Sequence, residues 1–370
     1  MRVKRLVLKN FRNYSELSWI PHPCLNVIAG KNAQGKTNLL EAIFFCTAGR
    51  SFRTARDRDM IGWPGTDCFA GVTLEKKNSS LEISVSLNES GRTAFFMNGA
   101  RQGKGKIYRP AVAVSFTPSD TDLIKGSPAE RRKWIDLELG PFDPHYLYNL
   151  SKFEKVVNHR NNLLKNSGRQ ANLGDLMDPW NEQMVLYGSS IISARIRLLK
   201  SLFPHIREVY AVLTAGKEDV SYRYLSSVPL EKGVGPEDLP GLYGETVRKK
   251  SGLEVDRQQS LFGPHRDDIA FFVNGVEVRK FGSRGQQRSV VLALKISLMR
   301  MFYEEQGEYP LLLLDDVFLE LDRDRQRGLE NLLAGEAQVF ITSDRALKGC
   351  FGGQAGTYNI VEGKLYGGEE

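Results

Sequence analysis

The segment Gly30-Lys31-Asn32-Ala33-Gln34-Gly35-Lys36-Thr37 constrains this chain more than any other, because it satisfies the pattern G-x-x-x-x-G-K-[ST]. The glycines permit a tight loop whose backbone N–H groups point inward at phosphate oxygens. Lys36 then reaches the β- and γ-phosphates and the Thr37 hydroxyl ligates Mg²⁺. An apolar stretch, residues 24–29, leads into the loop, and Leu39, Leu40, Ile43 and Phe44 follow Asn38 at helical spacing. Strand, loop and helix in that order place an anion at a helix N-terminus, where the helix dipole favours it. An ordinary glycine-rich turn needs neither flank.

A phosphate loop requires acids elsewhere to complete its chemistry. Leu311-Leu312-Leu313-Leu314-Asp315-Asp316 is an aliphatic strand ending in two carboxylates. Asp315 is the expected Mg²⁺ ligand with Thr37, and Asp316 the group that orients or deprotonates the attacking water, with Lys36 as the other catalytic residue. Two acids ending an isolated strand are usually just solvated; paired with the loop they gain a role. Between the two lies Gly282-Ser283-Arg284-Gly285-Gln286-Gln287-Arg288, followed by an apolar-periodic helix carrying Val290, Val291, Leu294, Ile296 and Leu298. A serine–glycine turn capping a helix is a second ready-made anion site.

The pattern of elements predicts an α/β core built from both ends of the chain. Short alternating runs at 68–74, 81–87 and 93–97 suggest an antiparallel sheet, and 111–116 one more buried strand. Ser127-Pro128-Ala129-Glu130 combines a cap, an N1 proline and a capping-box glutamate. Mostly helical sequence follows to about residue 216, with a polar break near 166–175, so a helical second domain is expected inside the core. The expected boundaries are 1–118 for the first core segment, 119–252 for the helical insertion and 253–370 for the second core segment. The chain has 370 residues and a net charge of +7, a moderate basic surplus that favours an acidic partner such as nucleic acid. Arg131, Arg132, Lys133, Arg195 and Arg197 lie in the insertion, where such basic residues are more often a solvated helix face. The four cysteines are far apart, no stretch has the length of a membrane span, and a reduced cytosolic protein is expected.

At this point the chain resembles ATP-binding-cassette (ABC) ATPases of the SMC kind, and most closely the bacterial RecF family of recombination-repair proteins. The resemblance covers nearly the whole length. It rests on Leu8-Lys9-Asn10-Phe11-Arg12-Asn13-Tyr14, on the loop extended through Thr37-Asn38, and on Arg50-Ser51-Phe52-Arg53. It rests further on Lys125-Gly126-Ser127-Pro128 with Arg131-Arg132, on Gly263-Pro264-His265-Arg266-Asp267-Asp268, on the Ser283 turn, and on residues 315–322. The resemblance implies an ABC-type P-loop core of mixed sheets and a head-to-tail, ATP-dependent homodimer. In it the signature turn of one subunit (Ser283, Arg284, Gly285, Gln286) closes on the γ-phosphate held by the other, with Asp322 crossing to the partner. Arg50 or Arg53 would stand near nucleotide or DNA, and with the resemblance Arg53, Arg131, Arg132, Lys133, Arg195 and Arg197 become candidate DNA contacts. Double-stranded and gapped DNA, a RecR-type mediator and recombinase loading are the implied partners and role, with ATP and Mg²⁺ as cofactors and no membrane.

Two departures from the family of cassettes are visible. Asp316 stands where transporter-type cassettes usually carry glutamate, which fits slow turnover. Phe340-Ile341-Thr342-Ser343-Asp344 has no histidine at the usual γ-phosphate switch. Asp120 is the only stand-in for a glutamine-loop residue. His265, beside two aspartates, reads as a structural hydrogen-bonder more readily than as a reacting group. A transporter ATPase subunit fits poorly, because the interval from Thr37 to Ser283 is too long. A scaffold using ATP only as a structural ligand is the stronger alternative.

Overall fold

The structure, a computed structural model, describes residues 1–103, 113–166, 172–230, 235–333, 335, 337–344 and 355–367, with the side chains of 319 and 320 outside the description. It divides into two compact units. One comprises Met1–Thr121, His205–Asp219 and Ser283–Glu370, the other Asp122–Pro204 and Val220–Gly282.

The first unit begins with β1 (Arg2–Phe11) and β2 (Tyr14–Trp19), an antiparallel pair, then β3 (Leu25–Ala29) and α1 (Lys36–Ala48). β4 (Asp67–Lys76), β5 (Ser79–Asn88), β6 (Thr93–Met97) and β7 (Ala100–Gln102) complete an antiparallel sheet in the order β2-β1-β4-β5-β6-β7. Period-two alternation explains it: Leu6, Leu8, Val72, Leu74, Ile83 and Val85 all turn to the core while their neighbours face out. Helix α1 is buried nearly all round, so its apolar residues pack on this sheet and on the central one together. β8 (Ala113–Phe116) follows; residues 111 and 112, expected in the same strand, lie outside the described residues.

The second unit holds α2 (Pro128–Trp134), α3 (Tyr146–Lys165) and most of α4 (Leu173–Leu213), whose last turns cluster with the first unit. The capping box read from the sequence is present at α2, with Glu130 accepting from Ser127 N at 2.6 Å. After β9 (Val220–Leu225) come α5 (Leu239–Lys249), α6 (Ser251–Arg257), β10 (Asp268–Val273) and β11 (Val276–Glu277). The three strands form an antiparallel sheet ordered β11-β10-β9. This unit is therefore mostly helical with a small sheet. Its limits differ from the sequence-based ones: residues 253–282 cluster here rather than with the core, and 205–219 with the core rather than here. The reason is pairing: β10 lies on β9, so it follows its hydrogen bonds and not its place in the chain.

The chain returns to the first unit with α7 (Arg284–Gln306), β12 (Leu311–Leu314), α8 (Arg323–Leu333), β13 (Val339–Ser343), β14 (Ala355–Val361) and β15 (Lys364–Gly367). The central sheet has the order β15-β14-β3-β13-β12-β8, parallel except for β15 at its edge. Fully apolar strands such as Leu311–Leu314 suit a parallel sheet covered on both faces. Strands β3 and β12, which carry the phosphate loop and the two acids, flank β13. Both motifs thus leave the same carboxyl edge of the sheet, where open α/β sheets bind ligands.

Candidate functional site

The loop between β3 and α1 needs its glycines. Gly30 has φ 156° and Gly35 φ 115°, and a Cβ on Gly35 would lie 2.5 Å from Asn13 Nδ2. Asn13 holds the loop closed: its Nδ2 donates to Gln34 O at 2.8 Å, and its Oδ1 accepts from Asn38 Nδ2 at 2.8 Å. Tyr14 OH donates to Gly35 O at 3.0 Å, and Gln34 Oε1 accepts from Glu362 N at 2.6 Å. Asn32 and Ala33 form the outer bend, Ala33 at φ 65°. Lys36 is buried, its ammonium donating to Gly30 O at 2.6 Å and Lys31 O at 3.1 Å. The cation is thereby stationed inside the loop whose amides it shares.

Thr37, first turn of α1, meets the acidic strand directly. Its hydroxyl lies 2.9 Å from both Asp315 carboxylate oxygens, across 278 residues of sequence. Thr342, on β13, donates its hydroxyl to Asp315 Oδ1 at 2.6 Å and accepts from Asp316 N at 2.9 Å. Burial raises the Asp315 carboxyl above the ordinary carboxylate value, opposed by the hydroxyls of Thr342 and Thr37, with the Asp316 charge adding to the rise. Asp316 adopts the left-handed conformation (φ 46°), its carbonyl accepts from Arg288 Nη2 at 2.6 Å, and its buried Oδ1 has no hydrogen-bond partner. An unpartnered buried carboxylate oxygen is costly and marks a functional position. On the strand that lacks a switch histidine, Thr342 therefore binds the Asp315 carboxylate and the Asp316 backbone.

Beside Asn38, Arg53 donates Nη1 to Asn38 Oδ1 at 2.6 Å and lies 3.8 Å from Glu41. Glu41 is buried and held bidentately by Arg12 at 2.9 and 2.8 Å. Arg50 instead lies over the Phe44 ring, 5.3 Å from its centroid. Asp120 does not stand free as a glutamine-loop substitute. Its carboxylate caps its own turn through Thr117 N (2.6 Å) and Thr117 Oγ1 (2.8 Å), and it pairs with Lys295 at 3.2 Å.

The serine–glycine turn caps α7 as the sequence pattern predicted. Ser283 Oγ accepts from Gln286 N at 3.2 Å, and Gln286 Oε1 accepts from Ser283 N at 3.0 Å. A Cβ on Gly285 would lie 3.5 Å from Arg325 Nη1, and Arg325 pairs with Asp322, whose carboxyl is held below its ordinary value by the Arg325 backbone and side chain. Arg284, first residue of α7, is exposed.

The basic residues of the second unit divide by burial. Arg131, expected as a DNA contact, is 2% exposed and grips Asp268 at 2.6 and 3.0 Å. Arg195, expected likewise, is 1% exposed and donates to Tyr146 OH (2.8 Å), Pro264 O (2.7 Å) and Asp136 (2.8 Å). At 2% and 1% exposure neither guanidinium is open to a phosphate, so both expectations are corrected: these are internal struts. Arg132 is half-buried and donates to Asp267 O at 2.9 Å; Lys133 is exposed, and Arg197 is exposed with Asp143 as its ion-pair partner.

The residues 263–268 form the hub of the same unit. Asp267 is fully buried, accepting from Tyr224 OH at 2.6 Å and from Ser227 N and Oγ at 2.8 Å each. His265 is a buried hydrogen-bonder through Nε2 to Ser260 O at 3.1 Å, and burial lowers its pKa to about 4. Arg266 donates to the same carbonyl.

A phosphate-type loop leaving a parallel strand, a neighbouring strand that ends in acids, and a capped serine–glycine turn define a P-loop ATPase head of the ABC type, SMC-like in plan. The family model described as RecF/RecN/SMC N terminal domain matches residues 2–348. The DNA replication and repair protein RecF of Desulforamulus reducens is 41% identical over 343 residues, covering 93% of this chain and 92% of that protein. Its counterpart from Pelotomaculum thermopropionicum is 39% identical over 365 residues, covering 99% and 100%. The chain belongs to the RecF family. Among solved structures, the recombination mediator protein RecF–ATP in the RecFOR pathway superposes with TM-score 0.87 at 28% identity, over 99% of this chain and 97% of that one. The SmcHead bound to the C-winged helix domain of ScpA shares the fold, with TM-score 0.57 at 16% identity over 99% and 96%.

Proposed function

We propose that this chain is an ATPase of recombinational repair and replication-fork maintenance, in which ATP gates dimerisation on duplex or gapped DNA. The carrying observation is the junction of Thr37 with Asp315 beside Asp316, whose buried Oδ1 is unpartnered. Oxygen donors only, from a hydroxyl and a carboxylate, suit a hard divalent cation, and the positive-φ glycines leave backbone N–H groups for phosphate. Thr37 and Asp315 would hold Mg²⁺, which when bound neutralises phosphate charge. Lys36 turns from the loop carbonyls to phosphate oxygens, and residues 30–38 supply the cradle. Asp316 orients the attacking water and takes its proton at Oδ1.

Each site in this reading is half-built. The Ser283, Gly285 and Gln286 turn of a second copy, with Arg284 and Asp322 beside it, closes on the γ-phosphate and completes a head-to-tail homodimer. The ATP-bound relative is a recombination mediator of the RecFOR pathway, which supports a RecR-type mediator and recombinase loading as the context. Arg53, Arg132, Lys133 and Arg197 remain the candidate phosphate contacts, giving salt-sensitive binding without base reading. No helix among the described residues is long and apolar enough to cross a membrane, and the cytoplasm is the proposed location. The test is ATP hydrolysis at several protein concentrations, with and without duplex DNA. The rate per protomer is expected to rise with concentration and with DNA; a low rate independent of both would contradict the reading.

A further inference from the structure

A single carboxylate gathers the parts of the first unit that the proposed dimer would present to its partner. Glu218 lies just after the last turn of α4, within the segment His205–Asp219 that clusters with the core. Its Oε1 accepts from Gln286 Nε2 at 3.0 Å, and its two oxygens lie 3.3 and 3.1 Å from Arg325 Nη2. Tyr210 OH, fully buried on α4, donates to Oε2 at 2.7 Å. The other end of Arg325 binds Asp322, and the other end of the Gln286 amide binds Ser283 N. Ser283 and Asp322 are thus joined through one residue that belongs to neither motif.

We infer that Glu218 is a positioning residue that locks the signature turn and the Asp322 loop into one rigid block. Hydrogen-bond valence sets the coupling. Gln286 needs its Oε1 for the capping box, so the rotamer that closes the box also fixes where Nε2 points, and Glu218 is what it meets. Arg325 has two branches: one takes Asp322, the other Glu218, and the planar fork couples their orientations. Tyr210 holds the carboxylate from the helix side, and charge-assisted hydrogen bonds of this kind are shorter and stronger than neutral ones. Neutralising Glu218 leaves Arg325 and Gln286 free to turn independently, so Ser283 and Asp322 no longer arrive together.

The inference rests on the trans-site reading above, and its test separates the two. Wild type, Glu218→Gln, Tyr210→Phe and a control, Glu208→Gln, are compared by sedimentation velocity with ATP across protein concentrations; Glu208 pairs with Arg300 and is exposed, on the same helix end. Fluorescent ATP titration of each monomer runs in parallel. Glu218→Gln is expected to weaken ATP-dependent dimerisation about ten-fold while monomer ATP affinity stays within about two-fold. Tyr210→Phe, which keeps the fold's apolar contact, moves the same way by less, and Glu208→Gln behaves as wild type. The effect of Glu218→Gln is expected to vanish in a Gln286→Ala, Arg325→Gln background, which a merely structural role would not predict. Dimerisation of both Glu218→Gln and Tyr210→Phe at wild-type strength overturns the assignment alone. Failure of wild type itself to dimerise with ATP overturns the trans-site reading and this inference together.

Discussion

At the scale of single residues, one carboxylate and one imidazole make distinct demands. Asp316 has a buried oxygen without a partner, so Asp316→Asn is expected to cut ATP hydrolysis by at least about a hundred-fold while ATP binding persists, measured by single-turnover kinetics beside nucleotide titration. His265 is neutral in the fold, with its pKa lowered to about 4 by burial. A depressed folded pKa contributes stability that is present above the unfolded value near 6.5 and lost as pH falls toward 4. Wild type should therefore lose about 2 kcal/mol between pH 7 and pH 5 from this group. Urea denaturation of His265→Gln should show that much less pH dependence over the same window; an unchanged slope would count against a buried neutral imidazole. What the sequence disclosed at this scale was residue type and spacing. Lys36, Thr37, Asp315 and Asp316 stood out because each lies in a short contiguous string. Asn13, Thr342 and Glu218 did not, because their partners in the loop, the acidic strand and the Arg325 helix are 21 to 107 residues away and nothing local marks the pairing.

At the scale of elements, burial decides what a basic residue does. Arg131 and Arg195 occupy helices rich in arginine and lysine, and charge along a helix does not reveal which face is covered. Their partners, Asp268, Asp136 and Pro264 O, come from distant segments, so the misreading is one of tertiary pairing. Arg195→Ala is expected to cost about 3–5 kcal/mol of stability, read as a lowered denaturation midpoint, with the salt dependence of DNA binding by the folded fraction unchanged. Gly263 marks the same hub. It sits at φ 118°, and a Cβ there would lie 1.9 Å from Tyr243 OH. Gly263→Ala should cost at least about 2 kcal/mol, visible as a thermal shift confined to cooperative loss of the second unit. The strands and helices themselves were largely legible. Period-two runs gave β4, β5 and β6, and the caps at Ser127 and Ser283 began their helices where expected. The β14–β15 hairpin, which supports the loop through Glu362 N, turns on Glu362-Gly363, both at positive φ.

For the whole molecule, the central claim is that the ATP site is shared between two copies. Cis chemistry follows from the meeting of β3, β12 and β13, which could be anticipated once loop and acids were seen as two ends of one parallel sheet. The division into units could not, because β9–β10 pairing groups residues 220–282 with the second unit. The most direct measurement is the sedimentation of Ser283→Arg with and without ATP, alongside nucleotide titration of the monomer. Wild type is expected to shift to a dimer with ATP, whereas Ser283→Arg binds ATP yet stays monomeric because the added guanidinium occupies the closing surface. A Ser283→Arg protein that dimerises with ATP as wild type does would contradict the shared site.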